Sequence, residues 1–171
     1  MADALKPRLL VAGVGNPLRS DDGAGLLVAR RVRGRMPGGG IEVAELGDPG
    51  DLLDLWLGRD ATVVVDTMRS GAYPGTILRL DASYQPLPAR RWQAPSSTHA
   101  GGLAETIELA RALGRLPARV IVYAVEGRRF DAGAGLCDEL KAIVPALVDR
   151  VFSEARSLRT SDGSLTGFSA G

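Results

Sequence analysis

The sequence predicts an α/β fold: one three-layer domain in which a twisted, mostly parallel sheet of about five strands is flanked by helices. Three observations lead there. Continuous apolar runs alternate with 3.6-period segments, as βα units do. The clearest run, ATVVVD at 61–66, is β-branched with no polar alternation, the pattern of a strand covered on both faces. The 171 residues are 45% apolar and 24% charged, which suits one domain with one substantial core.

Taken in order, Arg8 to Val14 (RLLVAGV) reads as a doubly buried strand. Ala24, Leu27, Val28 and Val32 then mark one face of an amphipathic helix. After the breaker at Pro37 to Gly40 comes a strand over Ile41 to Leu46. Asp48-Pro49 supplies an N-cap and an N1 proline for a short helix through Leu57. Ala61 to Asp66 is the next strand, and Thr76 to Leu80 a further one of antiparallel sense. Pro86, Pro88 and Pro95 make Ala82 to Ser97 an irregular loop, long enough to suggest a functional role. Leu103 to Leu113 forms a helix ended by Gly114, Arg119 to Val125 a strand, and Leu136 to Leu158 a last helix that Pro145 should kink. The domain is thus expected over residues 1–159, with 160–171, rich in Ser and Gly, a disordered tail.

Composition excludes several classes of function. Lys+Arg 21 against Asp+Glu 20 leaves a formal charge of +1, too small a footprint for a phosphate backbone, so no nucleic-acid partner is expected. The single cysteine, Cys137, allows no internal disulfide and no Cys-based zinc or iron–sulfur site, which fits a reducing cytoplasm. Placed within the last helix, Cys137 is expected to lie away from the cleft loops. The apolar run near the N-terminus is too short for a signal h-region or a membrane span, so neither secretion nor membrane insertion is expected.

In open α/β sheets, ligands bind beyond the carboxyl ends of the strands. The loop GVGNPLRSDDGAG lies there, yet it is no dinucleotide fingerprint: the third glycine of GxGxxG would fall on Leu18, and no GK[ST] follows. No organic cofactor is expected. Asp22 in this loop, Asp66 at the end of the valine run and His99 before the Gly101-Gly102 helix entry form a candidate set. Each has a plainer reading. An aspartate in DDG caps the following helix, an aspartate ending a strand accepts bonds from the next turn, and a lone histidine is more often a satisfied residue than a ligand. Two adjacent aspartates exceed the need of one cap, so Asp21 is assigned the structural role and Asp22 the cation. Two carboxylates and an imidazole suit a borderline divalent ion such as nickel or zinc, with positions open for substrate or water.

GVGNPLRSDDGAG, VVVDTMRSG, SSTHAGGLAETIELARALG and VYAVEGRRFDAGAGL, in this order and spacing, resemble the hydrogenase maturation proteases over about residues 8 to 150. The resemblance implies an endopeptidase that removes a C-terminal peptide from the large-subunit precursor of a nickel–iron hydrogenase after nickel insertion. It implies metal-binding and catalytic roles for Asp22, Asp66 and His99, with nickel supplied by the precursor. Asp22 stands where some members have glutamate. Asn16, Asp21, Arg128 and Arg129 are candidate substrate-binding residues, and specificity is expected from the 82–97 loop together with the Arg128-Arg129 turn. The substrate nickel would serve as recognition element and Lewis acid. No GxSxG nucleophile elbow is present. A monomer is expected. Two other readings stay open: a non-catalytic nickel or precursor chaperone, and an esterase resembling peptidyl-tRNA hydrolase, against which the near-neutral charge argues.

Overall fold

Strand β1 (Leu9–Val14) is buried along its whole length, and its alternate residues feed two different cores. The computed structural model describes residues 8–36, 40–88 and 102–162. Leu9 and Val11 meet Val63 and Val65 on one face, while Leu10 and Ala12 meet Val64 on the other. This is the two-sided burial expected of a parallel sheet sandwiched between helices. The other strands are β2 (Ile41–Leu46), β3 (Ala61–Met68), β4 (Ile77–Asp81) and β5 (Arg119–Glu126). They lie in the order β2-β1-β3-β5-β4. Only β4 is antiparallel, pairing Ile77 with Val125, as the sequence led one to expect. Helices α1 (Ala24–Arg35) and α4 (Asp138–Asp162) cover the first face. Helices α2 (Leu52–Leu55) and α3 (Leu103–Ala112) cover the second, with Trp56 and Ile107 fully enclosed. Each enclosed aliphatic side chain contributes roughly 1.5–3 kcal/mol.

Two glycines bring α1 onto the sheet. A Cβ on Gly25 would stand 2.5 Å from the carbonyl oxygens of both Val14 and Val65, and one on Gly13 would collide with the Gly25 carbonyl. The β1–α1 loop is therefore anchored between a strand and a helix in backbone contact.

Several expectations are corrected in detail. A 3-10 turn, Ser20–Gly23, precedes α1, and neither Asp21 nor Asp22 caps that helix through its side chain. The reason is a competing neighbour: the Ser20 and Asp21 amides donate to the Gly133 and Arg129 carbonyls at 2.9 and 3.0 Å, which turns this stretch toward the β5–α4 loop. Ser20 takes a left-handed backbone (φ 52°) to do so. Asp48 does cap its turn, accepting from the Gly50 amide at 2.7 Å with Pro49 at N1, and α2 follows as a single turn. Gly114, at φ 65°, ends α3. Helix α4 runs unbroken through Pro145 and reaches Asp162, past the Thr160 at which a tail was expected to begin. Residues 163–171 lie outside the described residues.

Both sheet edges are charged. On β2, Glu45 binds Arg30 and Arg33 of α1 at 2.7 Å each, and Glu42 binds Arg59. On β4, Arg79 forms a two-pronged pair with Glu154 of α4 at 2.7 and 2.9 Å. Tyr123 of β5 donates to the same carboxylate at 2.9 Å. Among the described residues, no helix is long and apolar enough to cross a membrane.

Candidate active site

The strand order reverses between β1 and β3: the chain leaves β1 toward β2 and later builds outward from β3 in the other direction. Loops following such a pair diverge and open a crevice at the carboxyl edge. Asp22 belongs to the first of these loops, and Asp66 lies in β3 just past the last pairing with β1, that of Gly13 with Val65. One hydrogen bond draws them together. Thr67, next to Asp66, donates its hydroxyl to the carbonyl of Asp21, next to Asp22, at 3.1 Å.

The two carboxylates differ in surroundings. Asp66 is 8% exposed, and its Oδ1 accepts the Thr67 amide at 2.8 Å. Asp22 is half-buried, and its Oδ2 accepts the Asn16 amide at 3.0 Å. Burial pushes the Asp22 carboxyl above the ordinary aspartate range, only partly offset by the Asn16 amide and the nearby Arg19 guanidinium. Such a carboxylate has lost hydration and gains by meeting a cation or a proton. Gly15, at φ 147°, lets the Asp22 carbonyl approach where any side chain would collide with it.

Asp21 has a different position from its neighbour. Its side chain is fully enclosed, and it accepts the amides of Arg128 and Arg129 at 2.8 Å and of Cys137 at 2.7 Å. Burial alone would raise its pKa, but these donors outweigh that cost and hold the carboxyl below its ordinary value. The Asp21 carboxylate therefore fastens the β5–α4 loop to the β1–α1 loop. Arg19 and Ser20 extend the seam, donating to the carbonyls of Phe130 and Asp131.

Asn16 is engaged locally: its Oδ1 accepts the Leu18 amide at 2.9 Å and its carbonyl the Arg19 amide at 3.1 Å. Arg128 is exposed and paired with Glu139 at 2.7 Å, and Arg129 is exposed. Cys137 precedes α4 instead of lying inside it. Its amide reaches a cleft loop, contrary to expectation, while burial raises its thiol pKa and keeps it protonated. The start of the Pro-rich loop is not loose either, since Arg111 of α3 donates to the Ala82 and Ser83 carbonyls at 2.7 and 2.8 Å. The rest of that loop from 89 onward, and His99 after it, lie outside the described residues. Among the described residues no three His, Cys, Asp or Glu side chains are grouped to hold a metal ion.

Sequence reasoning missed Glu126. Ending β5, it is almost wholly enclosed and accepts the Ser70 amide at 2.9 Å, the Gly71 amide at 2.9 Å and the Ser70 hydroxyl at 2.8 Å. It thereby fixes the turn that follows Asp66. The signal was available: an acidic residue closing an apolar strand before glycine, as Asp66 closes the valine run.

Comparison with known proteins decides the family. Residues 36–154 match the model of the hydrogenase maturation proteases. The chain belongs to that family. The matched segment of the hydrogenase maturation protease model includes Asp66 and His99 and begins after Asp22. A hydrogenase expression/formation protein HupD from Thiocapsa roseopersicina is 30% identical over 82% of this chain, which spans 65% of that relative's length. The hydrogenase 2 maturation protease of Escherichia coli is 26% identical over 87% of this chain and 91% of its own. Among solved structures, the hydrogenase maturating endopeptidase HybD from E. coli superposes with a TM-score of 0.73 at 25% identity, covering 88% of this chain and 93% of that one.

Proposed function

We propose that this hydrogenase maturation protease removes a C-terminal peptide from the nickel-loaded large-subunit precursor of a nickel–iron hydrogenase. Asp22, Asp66 and His99 complete the coordination of nickel that the precursor brings, so the ion is part of the substrate and no resident metal is needed. The observation that supports the reading is the Thr67–Asp21 bond, which ties the loop of Asp22 to the strand that carries Asp66. Coordination by these groups would admit only a loaded precursor, making the ion a recognition element. The same ion, as Lewis acid, would polarise the scissile carbonyl or its attacking water, so that a weak nucleophile suffices at neutral pH. Whichever of the two carboxylates is not coordinating during the step accepts the proton. The protein works in the cytoplasm as a monomer.

The test is mass spectrometry of a large-subunit precursor incubated with the protein, with and without nickel. Loss of a C-terminal peptide from the loaded form alone, abolished in a folded His99→Ala variant, is the expected result. Cleavage of the empty precursor would remove the nickel-gating step, and binding without any mass loss would make the protein a chaperone.

A further inference from the structure

Among the described residues the exposed large apolar side chains are Leu18, Leu57, Tyr73, Tyr84, Leu109 and Leu113. Of these, Leu18 and Tyr73 lie on loops at the carboxyl edge of the parallel strands, after β1 and β3. Leu57 precedes β3, Leu109 and Leu113 belong to α3 and its end, and Tyr84 follows the antiparallel β4. An isolated exposed leucine needs no explanation. What distinguishes these two is their place, Leu18 on the loop that carries Asp22 and Tyr73 on the loop after the strand that carries Asp66, each on backbone already ordered.

Leu18 is 70% exposed, yet its amide donates to Asn16 Oδ1 at 2.9 Å and its carbonyl accepts the Gly133 amide at 2.9 Å. Pro17 fixes the residue before it. Asn16 ties it to the chemistry, because the amide of that residue donates to Asp22. Tyr73 is 77% exposed, while its carbonyl accepts the Thr76 amide at 3.0 Å and the Thr76 hydroxyl at 2.6 Å. On either side of it Glu126 holds Ser70 and Gly71 by its carboxylate and Gly75 by its carbonyl. The β5–α4 loop bridges the two, with the Gly127 amide on the Met68 carbonyl and the Gly133 amide on Leu18. That loop presents Arg129 to solvent, and its Phe130 ring carries Arg69 at 5.3 Å.

A partner that binds a loose loop loses much of its gain to ordering it, whereas an apolar side chain on a preordered backbone keeps that gain. Large apolar anchors of this kind concentrate binding energy. We propose that Leu18 and Tyr73 are the docking contacts that grip the hydrogenase large-subunit precursor, taking apolar side chains of the segment beside the cut, with Arg129 facing a carboxylate of that segment. This rests on the function proposed above: Leu18 shares the β1–α1 loop with Asp22, and Tyr73 lies on the loop after β3, the strand that carries Asp66.

The test measures kcat and KM for nickel-dependent cleavage of the precursor by Leu18→Ala, Tyr73→Ala and the double variant. Leu109→Ala, an exposed leucine on α3, is the control, and thermal unfolding confirms that each variant is folded. Each single variant should raise KM on the order of tenfold, and the double variant further, with kcat within about twofold; Leu109→Ala should change neither. KM values unchanged in both single variants would overturn the proposal, and so would a fall in kcat with KM intact. Affinity of the same variants for immobilised precursor separates this inference from the reading beneath it. If the wild-type protein binds but cuts nothing, the protease reading fails, while loss of binding in Leu18→Ala and Tyr73→Ala still supports docking. If the wild-type protein neither binds nor cuts, both fall.

Discussion

Asp21 and Cys137 stand 116 positions apart in the chain, yet the Cys137 amide donates to Asp21 Oδ1 at 2.7 Å, closing the β5–α4 loop onto the loop that carries Asp22. Replacing Asp21 with Ala would strand this amide together with those of Arg128 and Arg129. Leaving a buried donor such as the Cys137 amide unpaired costs about 1–3 kcal/mol. Urea unfolding should show that loss, and hydrogen exchange at the three amides should accelerate. Protection equal to wild type would contradict the clamp.

Glu126 acts on the other side of the crevice. Oε1 accepts the Ser70 and Gly71 amides at 2.9 Å, so a Glu126→Gln variant keeps these two contacts while setting an NH2 group against the Ser70 amide that Oε2 accepts at 3.0 Å, and it should process precursor faster than Glu126→Ala but below the normal rate. Glu126→Ala loses them, frees the turn after Asp66 and should slow processing by about tenfold or more. Equal rates for Ala and Gln would deny Glu126 a positioning role.

The contact between α1 and the sheet leaves no room for a methyl group. Gly25→Ala would press a Cβ against the Val14 and Val65 carbonyls, neither of which can yield without moving a strand. A loss of about 1–3 kcal/mol, or failure to fold, is expected in thermal unfolding. Gly34→Ala, on the same helix with open space around the added Cβ, should be neutral or stabilising.

Acid should reveal the edge cluster of Arg79, Tyr123 and Glu154. The Arg79 guanidinium holds Glu154 below its ordinary 4.5, with Tyr123 helping. A depressed carboxyl contributes stability above its unfolded pKa and loses it as pH falls through the folded value. Glu154→Gln should therefore cost about 1 kcal/mol near neutrality, discounted for the solvent reaching Arg79. The gap from wild type should close on acidification below 4.5. A gap unchanged between neutral pH and acid would refute the assignment.

Much of this was legible in the chain because strand burial is written locally: Val63, Val64 and Val65 point alternately into the two cores, and nothing but a doubly covered strand accommodates them. The antiparallel β4 and the Asp48 cap were likewise readable from nearby residues. What escaped depends on partners far along the sequence. Whether Asp21 caps a helix or holds a distant loop is decided by amides at 128, 129 and 137, which no local pattern announces. Glu126 looks like any strand terminus until the turn at Ser70 and Gly71 folds over it. Of the candidate triad, the loop of Asp22 and the strand of Asp66 are tied by the Thr67–Asp21 bond, and His99 lies outside the described residues.

The ionic edge of β2 has a bearing on how such a protein survives its own work. An open sheet edge invites any exposed strand nearby to add on indiscriminately. With Glu42 and Glu45 each held by arginines, a strand approaching β2 would have to displace ion pairs before it could pair its backbone. The margin opposite the α4-braced β4 is thus guarded against casual polymerisation.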